Sequence, residues 1–242
     1  VDDAVTGSVT VFTPVADGES ELSGLDIAEQ NETATIVEGD DETISANVTN
    51  NGPTGAVAVE LTVANGDTVV DEQIVEVPSE TTTPVAFENV TGDLAAGDYN
   101  VTVETADANV TGTLTVQTPA DPELTTLDIA GEGATATIVE GDNENVAVDV
   151  TNTGEEVSSF DVTLEIEGQE SVNATTGELG FEETETVPFE GVTGDLDAGD
   201  YNVTVQTGDA NVTGTLTVQT PADPELTNLD IAGEGATATI VE

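Results

Sequence analysis

Apolar residues fall at every second position through much of this chain. In FDVTLEIEG, Phe160, Val162, Leu164 and Ile166 share one face, and Asp161, Thr163, Glu165 and Glu167 share the other. That is the mark of a strand with one buried and one wet side. The same alternation runs through ISANV (44–48), VAVELTV (57–63), YNVTV (99–103 and 201–205), LTV (114–116) and VAVDV (146–150). Threonine and valine supply the β-branched side chains that suit a pleated surface. No stretch of useful length repeats every 3.6 residues, so the pattern predicts strands and no helices. Turn sequences separate the runs: NNGP (50–53), ANGD (64–67), AAGD (95–98), TNTG (151–154), DAGD (197–200), and EGD at 38–40 and 140–142.

The strands repeat as a block. ELSGLDIA, ELTTLDIA and ELTNLDIA open at Glu21, Glu123 and Glu225, which sets a period of 102 residues, and residues 97–140 recur at 199–242 with three changes. A period of that size is a domain and not a solenoid turn. Some seven strands per period with short polar turns predict an all-β chain of tandem immunoglobulin-like β-sandwich domains. Residues 21–118 and 123–220 make two full units. Residues 1–14 match the last strand of a unit, because VTGSVTVFTP parallels VTGTLTVQTP at 110–119, and residues 225–242 hold only the first strands of another. Two readings of these partial repeats stay open: a window on a longer array, or a first strand donated to a neighbouring subunit. Tyr99 and Tyr201 each open a late strand two residues after a glycine. That is the place of a tyrosine corner, and it predicts two largely buried rings.

Composition changes the picture of the surroundings. The chain carries 51 acidic residues with no lysine, arginine or histidine, a formal charge of −51. At low ionic strength such a surface repels itself, whereas at molar salt the Debye length falls to about 3 Å. Disorder is the usual consequence of high net charge, but a disordered chain has no reason to keep strict apolar alternation over many segments. The whole chain resembles proteins of extremely halophilic archaea, which are rich in acids and poor in lysine. Its VDVTNTG (148–154) and NVTNNG (47–52), followed by an alternating strand and then AGDYNVTV, resemble the CARDB-like immunoglobulin-type repeat of archaeal cell-surface proteins. That resemblance implies extracellular display, tandem arrays and an adhesive or structural role. ETADAN and QTGDAN stand where the family often has an acidic-asparagine turn.

Asn-x-Ser/Thr acceptor tripeptides support an exterior location. Eight of the fifteen asparagines head one: Asn31, Asn47, Asn89, Asn100, Asn109, Asn173, Asn202 and Asn211. Serine and threonine fill about a fifth of positions, so about three would arise by chance. These are the expected glycosylation sites, with covalent N-glycans as partners.

Absences narrow the function further. The chain has no cysteine, which removes disulfides, thiolate metal sites and thiol nucleophiles. Without histidine or lysine there is no Ser-His or Ser-Lys pair. The charge excludes nucleic acid, and 3% aromatic residues cannot line the sugar cleft of a carboxylate glycosidase. No enzyme activity and no cofactor are expected. Glu38, Asp40 and Glu42 recur as Glu140, Asp142 and Glu144, whereas Asp197 of GDLDAGD faces Ala95 in the other copy. No segment has EF-hand spacing, so diffuse association with hydrated cations is expected in place of a fixed metal site. The linker TPADPEL (118–124 and 220–226) holds two prolines that stiffen it, and the longer TPVADGESEL (13–22) contains Gly18. No signal peptide or membrane span is visible. Together these features predict a structural segment of a haloarchaeal extracellular fibre, stalk or surface layer that assembles with itself. The alternatives are a displayed adhesin, or an appendage polymerised by strand exchange.

Overall fold

A computed structural model describes residues 13–15, 19–65, 67–208 and 210–224. Contacts divide the chain into two compact units, one up to Asp121 together with Gly154–Val157, the other Pro122–Thr153 and from Ser158 on. The described residues contain strands and turns and no helix.

The first unit holds β1 (Ser20–Ile27), β2 (Thr33–Val37), β3 (Ile44–Asn50), β4 (Gly55–Asn65), β5 (Asp67–Val77), β6 (Thr81–Phe87), β7 (Gly97–Glu104) and β8 (Asn109–Gln117). They form a three-stranded sheet in the order β1-β3-β6 and a five-stranded sheet in the order β2-β8-β7-β4-β5. All pairs are antiparallel except β2 with β8. This is an immunoglobulin-like sandwich. Its core comes from the alternating positions: Ile44, Ala46 and Val48 of β3, Val57, Val59, Leu61 and Val63 of β4, and Val101 and Val103 of β7 are all buried, with Phe87 and Leu114 closing over them. The residues between them face water, which is why a chain of this charge still folds.

The second unit repeats the plan with β9 (Pro122–Ile129), β10 (Thr135–Val139), β11 (Val146–Asn152), β12 (Asp161–Ile166), β13 (Val172–Thr175), β14 (Thr184–Phe189), β15 (Gly199–Thr207) and β16 (Ala210–Gln219). Its sheets are β14-β11-β9 and β10-β16-β15-β12-β13. Phe160, Val162, Leu164 and Ile166 are all buried, as their alternation predicts.

Among the described residues each unit has eight strands, where the sequence pattern suggests about seven. The extra one is TATIV (β2, β10), whose two buried residues are too few to register as alternation. The chain reaches it by crossing from one sheet to the other through a tight turn. Ala28, Glu29 and Asn31 have positive φ there, as do Ala130, Gly131 and Gly133 in the second unit. Edges of the three-stranded sheets carry prolines, Pro84 in β6, Pro188 in β14 and Pro122 at the start of β9, which cannot extend a ladder. The partial repeats lie outside the described residues, apart from positions 13–14. Pro14 bridges Ala56 of the same chain, and Ala56 N donates to the Thr13 carbonyl over 2.8 Å.

Candidate acceptor face and acidic loops

The hairpins β7–β8 and β15–β16 each present two acceptor tripeptides on one surface. Val101 and Val103 point into the core, so period-two geometry sends Asn100 and Thr102 outward. Asn109 and Thr111 stand on the same outer face of β8. The register places Thr102 opposite Thr111, Asn100 opposite Thr113, and Glu104 opposite Asn109. The second unit reproduces this with Thr204 opposite Thr213, Asn202 opposite Thr215, and Gln206 opposite Asn211. The two threonines therefore sit side by side, with one asparagine beyond each end of the pair. All four asparagines are exposed. Asn202 Nδ2 donates to Glu167 Oε2 over 2.8 Å.

The other four acceptor positions sit in different surroundings. Asn47 lies on the central strand β3 between Ser23 and Pro84. It is half-buried, and its Nδ2 is 2.7 Å from the position a Cβ on Gly24 would take. Asn89 has φ 58°, and the equivalent residue of the second unit is Gly191 at φ 62°. Likewise Asn31, at φ 67°, corresponds to Gly133 at φ 84°. A left-handed backbone accounts for both asparagines, because Asn tolerates that region better than other residues with a side chain. Asn173 is exposed on the edge strand β13, and its Oδ1 accepts the Thr163 hydroxyl over 2.8 Å.

The repeated acidic loops are built by hydrogen bonds of their own. Thr91 is 1% exposed. Its hydroxyl donates to the Asp40 carbonyl and accepts from Glu42 N, both at 2.7 Å. Thr193 does the same for Asp142 and Glu144. The Asp40 carboxylate accepts from Val37 N, and the Asp142 carboxylate from Val139 N. These aspartates close turns. Among the described residues no group of three or more acidic side chains is placed to hold a metal ion. Asp197 contributes its backbone carbonyl and receives the Tyr201 hydroxyl.

With no cationic side chain available, the carboxylates take hydroxyls, backbone N–H groups and the Asn202 amide as partners. Thr115 donates to Asp98 and Thr217 to Asp200, both at 2.8 Å, and Thr175 donates to Asp161. Gly177 N donates to Glu185, and Gly180 N to Glu183. Threonine thus serves as β-former and as neutral donor together.

Both tyrosines form corners. Tyr99 donates to the Ala95 carbonyl over 2.8 Å and Tyr201 to the Asp197 carbonyl over 2.9 Å, the backward bond expected of this motif. The rings are half-buried, less than expected, because each side chain reaches back over the corner that it bonds, and Tyr99 packs against the rim of the core. Asn50 and Asn152 in the VTNNG and VTNTG signatures are fully buried. Asn50 Nδ2 donates to the carbonyls of Pro53 and Val77, and its Oδ1 accepts from Gly52 N. Asn152 Nδ2 donates to the Leu179 carbonyl. Sequence reasoning read these residues as turn vocabulary. Their recurrence at one position of each repeat is the signal that could have pointed to a structural role, and the same holds for Thr91 and Thr193.

No family model and no curated protein matches the sequence. Among solved structures the chain is similar to the N-terminal four Ig domains of Dscam1 isoform 9.44, at 13% identity with a TM-score of 0.28, over 85% of this chain and 48% of that one. It is also similar to the titin Ig tandem A164–A165, at 13% identity and a TM-score of 0.28, over 85% of this chain and 99% of that one. Latent PorU from Porphyromonas gingivalis is 14% identical with a TM-score of 0.33, over 87% of this chain and 25% of that one. The chain spans about half the length of the Dscam1 fragment. The assignment of the fold rests on strand order and pairing. No helix among the described residues is long and apolar enough to cross a membrane.

Proposed function

We propose that this chain is a non-enzymatic structural segment of a haloarchaeal cell exterior. It would form part of a fibre, stalk or surface layer made of tandem immunoglobulin-like sandwiches of CARDB-like type. The observation that carries the reading is a domain-length repeat whose outer faces are rich in acid and threonine, with not one cationic side chain in 242 residues. Such a surface is suited to molar salt, and the repeat is suited to extension by adding copies. Proline-bearing linkers would set the spacing, and carboxylates with hydrated cations and N-glycans would hold a wet coat.

The test is labelling of intact cells with an antibody against residues 20–219 at molar salt. Surface labelling that Glu-specific protease removes from whole cells is expected. Labelling only after lysis would sink the proposal.

Display as an adhesin is the second reading, and one observation favours it. Of the five exposed large apolar residues among the described ones, Ile74, Val157, Val172 and Phe181 fall in the segments, 51–80 and 153–182, where the two copies differ most, and Val139 lies outside them. Replacing Phe181 with serine would weaken attachment of cells or beads to a partner surface under this reading, and would leave it unchanged under the structural one.

A further inference from the structure

The eight acceptor tripeptides are not equivalent once the strands are paired. Asn100 is paired with β4 and β8 on its two sides, and Asn202 is paired with β16 on one side while its carbonyl accepts from Glu167 N on the other. A transferase must take the tripeptide backbone into its own site, and in the finished sheet that backbone is fully committed. Their side chains, however, stand in open solvent. Asn109 and Asn211 start the partner strands on the same face. A saccharide on any of the four extends away from the sheet and disturbs no contact. An asparagine that carries a sugar keeps one N–H on Nδ2, so Asn202 retains its bond to Glu167. Asn47 is the opposite case. Its Nδ2 lies against Gly24 where β1 bulges between Ser23 and Asp26, and a saccharide there would force that strand off the sheet.

We propose that the outer faces of the two five-stranded sheets are glycan-bearing surfaces, with saccharides joined to Asn100, Asn109, Asn202 and Asn211 before the sheets form, and that Asn47 is unmodified in the folded protein. In the coupling step Nδ2 forms a bond to the anomeric carbon of a lipid-phosphate-linked saccharide. The bond from that carbon to the phosphate oxygen breaks, the lipid phosphate leaves, and Nδ2 gives up one proton. Along the strands the two attachment points of a hairpin are four residues apart, about 13 Å at the rise of a β-strand. Each face would thus carry a pair of saccharides flanking the two adjacent threonines. The proposal rests on the exterior location argued above.

Glycopeptide mass spectrometry of the protein isolated from its own cells tests it, using Glu- and Asp-specific proteases because trypsin has no site. The hairpins are distinguishable by mass, since Glu104 and Ala106 of the first are Gln206 and Gly208 in the second. Saccharide at Asn100, Asn109, Asn202 and Asn211 with a bare Asn47 is the expected result. Asn100→Gln and Asn211→Gln should each lower the intact mass by one saccharide and leave the β-sheet circular dichroism unchanged. Saccharide confined to Asn31 and Asn173, a turn and an edge strand, would mean transfer to the folded chain and overturn the proposal. Occupancy of Asn47 equal to the other sites would overturn it as well. A chain with no saccharide at all would also overturn it, while the surface-labelling result would still decide the exterior location independently.

Discussion

Asn50 has no exposed surface, and its amide is shared among two backbone groups of the turn that it opens and the Val77 carbonyl at the end of β5. Replacing it with alanine strands the Pro53 and Val77 carbonyls and the Gly52 N–H. Asn50→Ala is expected to lower unfolding stability by about 2–3 kcal/mol, the range for buried groups left without a partner, read from urea denaturation at constant salt. A loss below a few tenths would show that water takes over these bonds. Tyr99→Phe removes one half-exposed hydroxyl bond and should cost about 1 kcal/mol, with Tyr201→Phe matching it because the geometry is the same. At this scale the sequence was partly legible. The tyrosine corner followed from position, but the burial of Asn50 did not, since asparagine in a turn is usually a surface residue. The acceptor asparagines were legible as a set. Their separation into exposed, half-buried and left-handed positions required strand register and φ, which no tripeptide encodes.

Strand β8 passes so close to the start of the sandwich that Gly112 has no room for a side chain. A Cβ there would stand 2.4 Å from the Glu32 carbonyl oxygen and 2.9 Å from Ile27 Cδ1, and at Gly214 the corresponding distances are 2.4 Å from the Ala134 oxygen and 2.9 Å from Ile129 Cδ1. Backbone cannot yield as a flexible side-chain tip can. Gly112→Ala is therefore expected to destabilise the first unit by about 3 kcal/mol, the upper part of the range for overpacking. Gly131→Ala, where a Cβ meets nothing but φ is +76°, should cost less, about 1 kcal/mol. Denaturation of the two variants side by side separates steric from conformational cost. Most strands were readable from alternation because one face of each is core, whereas the edge strand β13 buries no residue and left no such pattern. The parallel strand β2 and the crossing that leads to it were not readable, since a parallel partner 80 residues away leaves no local mark.

The whole molecule folds with 51 negative charges and no ion pairs between side chains, so its stability comes from apolar burial and neutral donors, and the charge works against it. Screening removes that opposition: the Debye length falls from about 10 Å at 0.1 M salt to about 3 Å at 1 M. The urea midpoint is expected to rise steadily with potassium chloride up to molar concentration, and a flat midpoint would show that the acidic surface is not under strain. Composition alone carries the expectation of a high-salt exterior, and this salt titration tests it. The proposed role was the least legible, because a structural array would need no catalytic constellation to betray it. Electron microscopy of surface material sheared from cells and kept at molar salt tests the central claim most directly. Filaments or layers that bind antibody against residues 20–219, with an axial repeat of one or two sandwiches, are the predicted result, and antibody found only on unassembled short rods would contradict it.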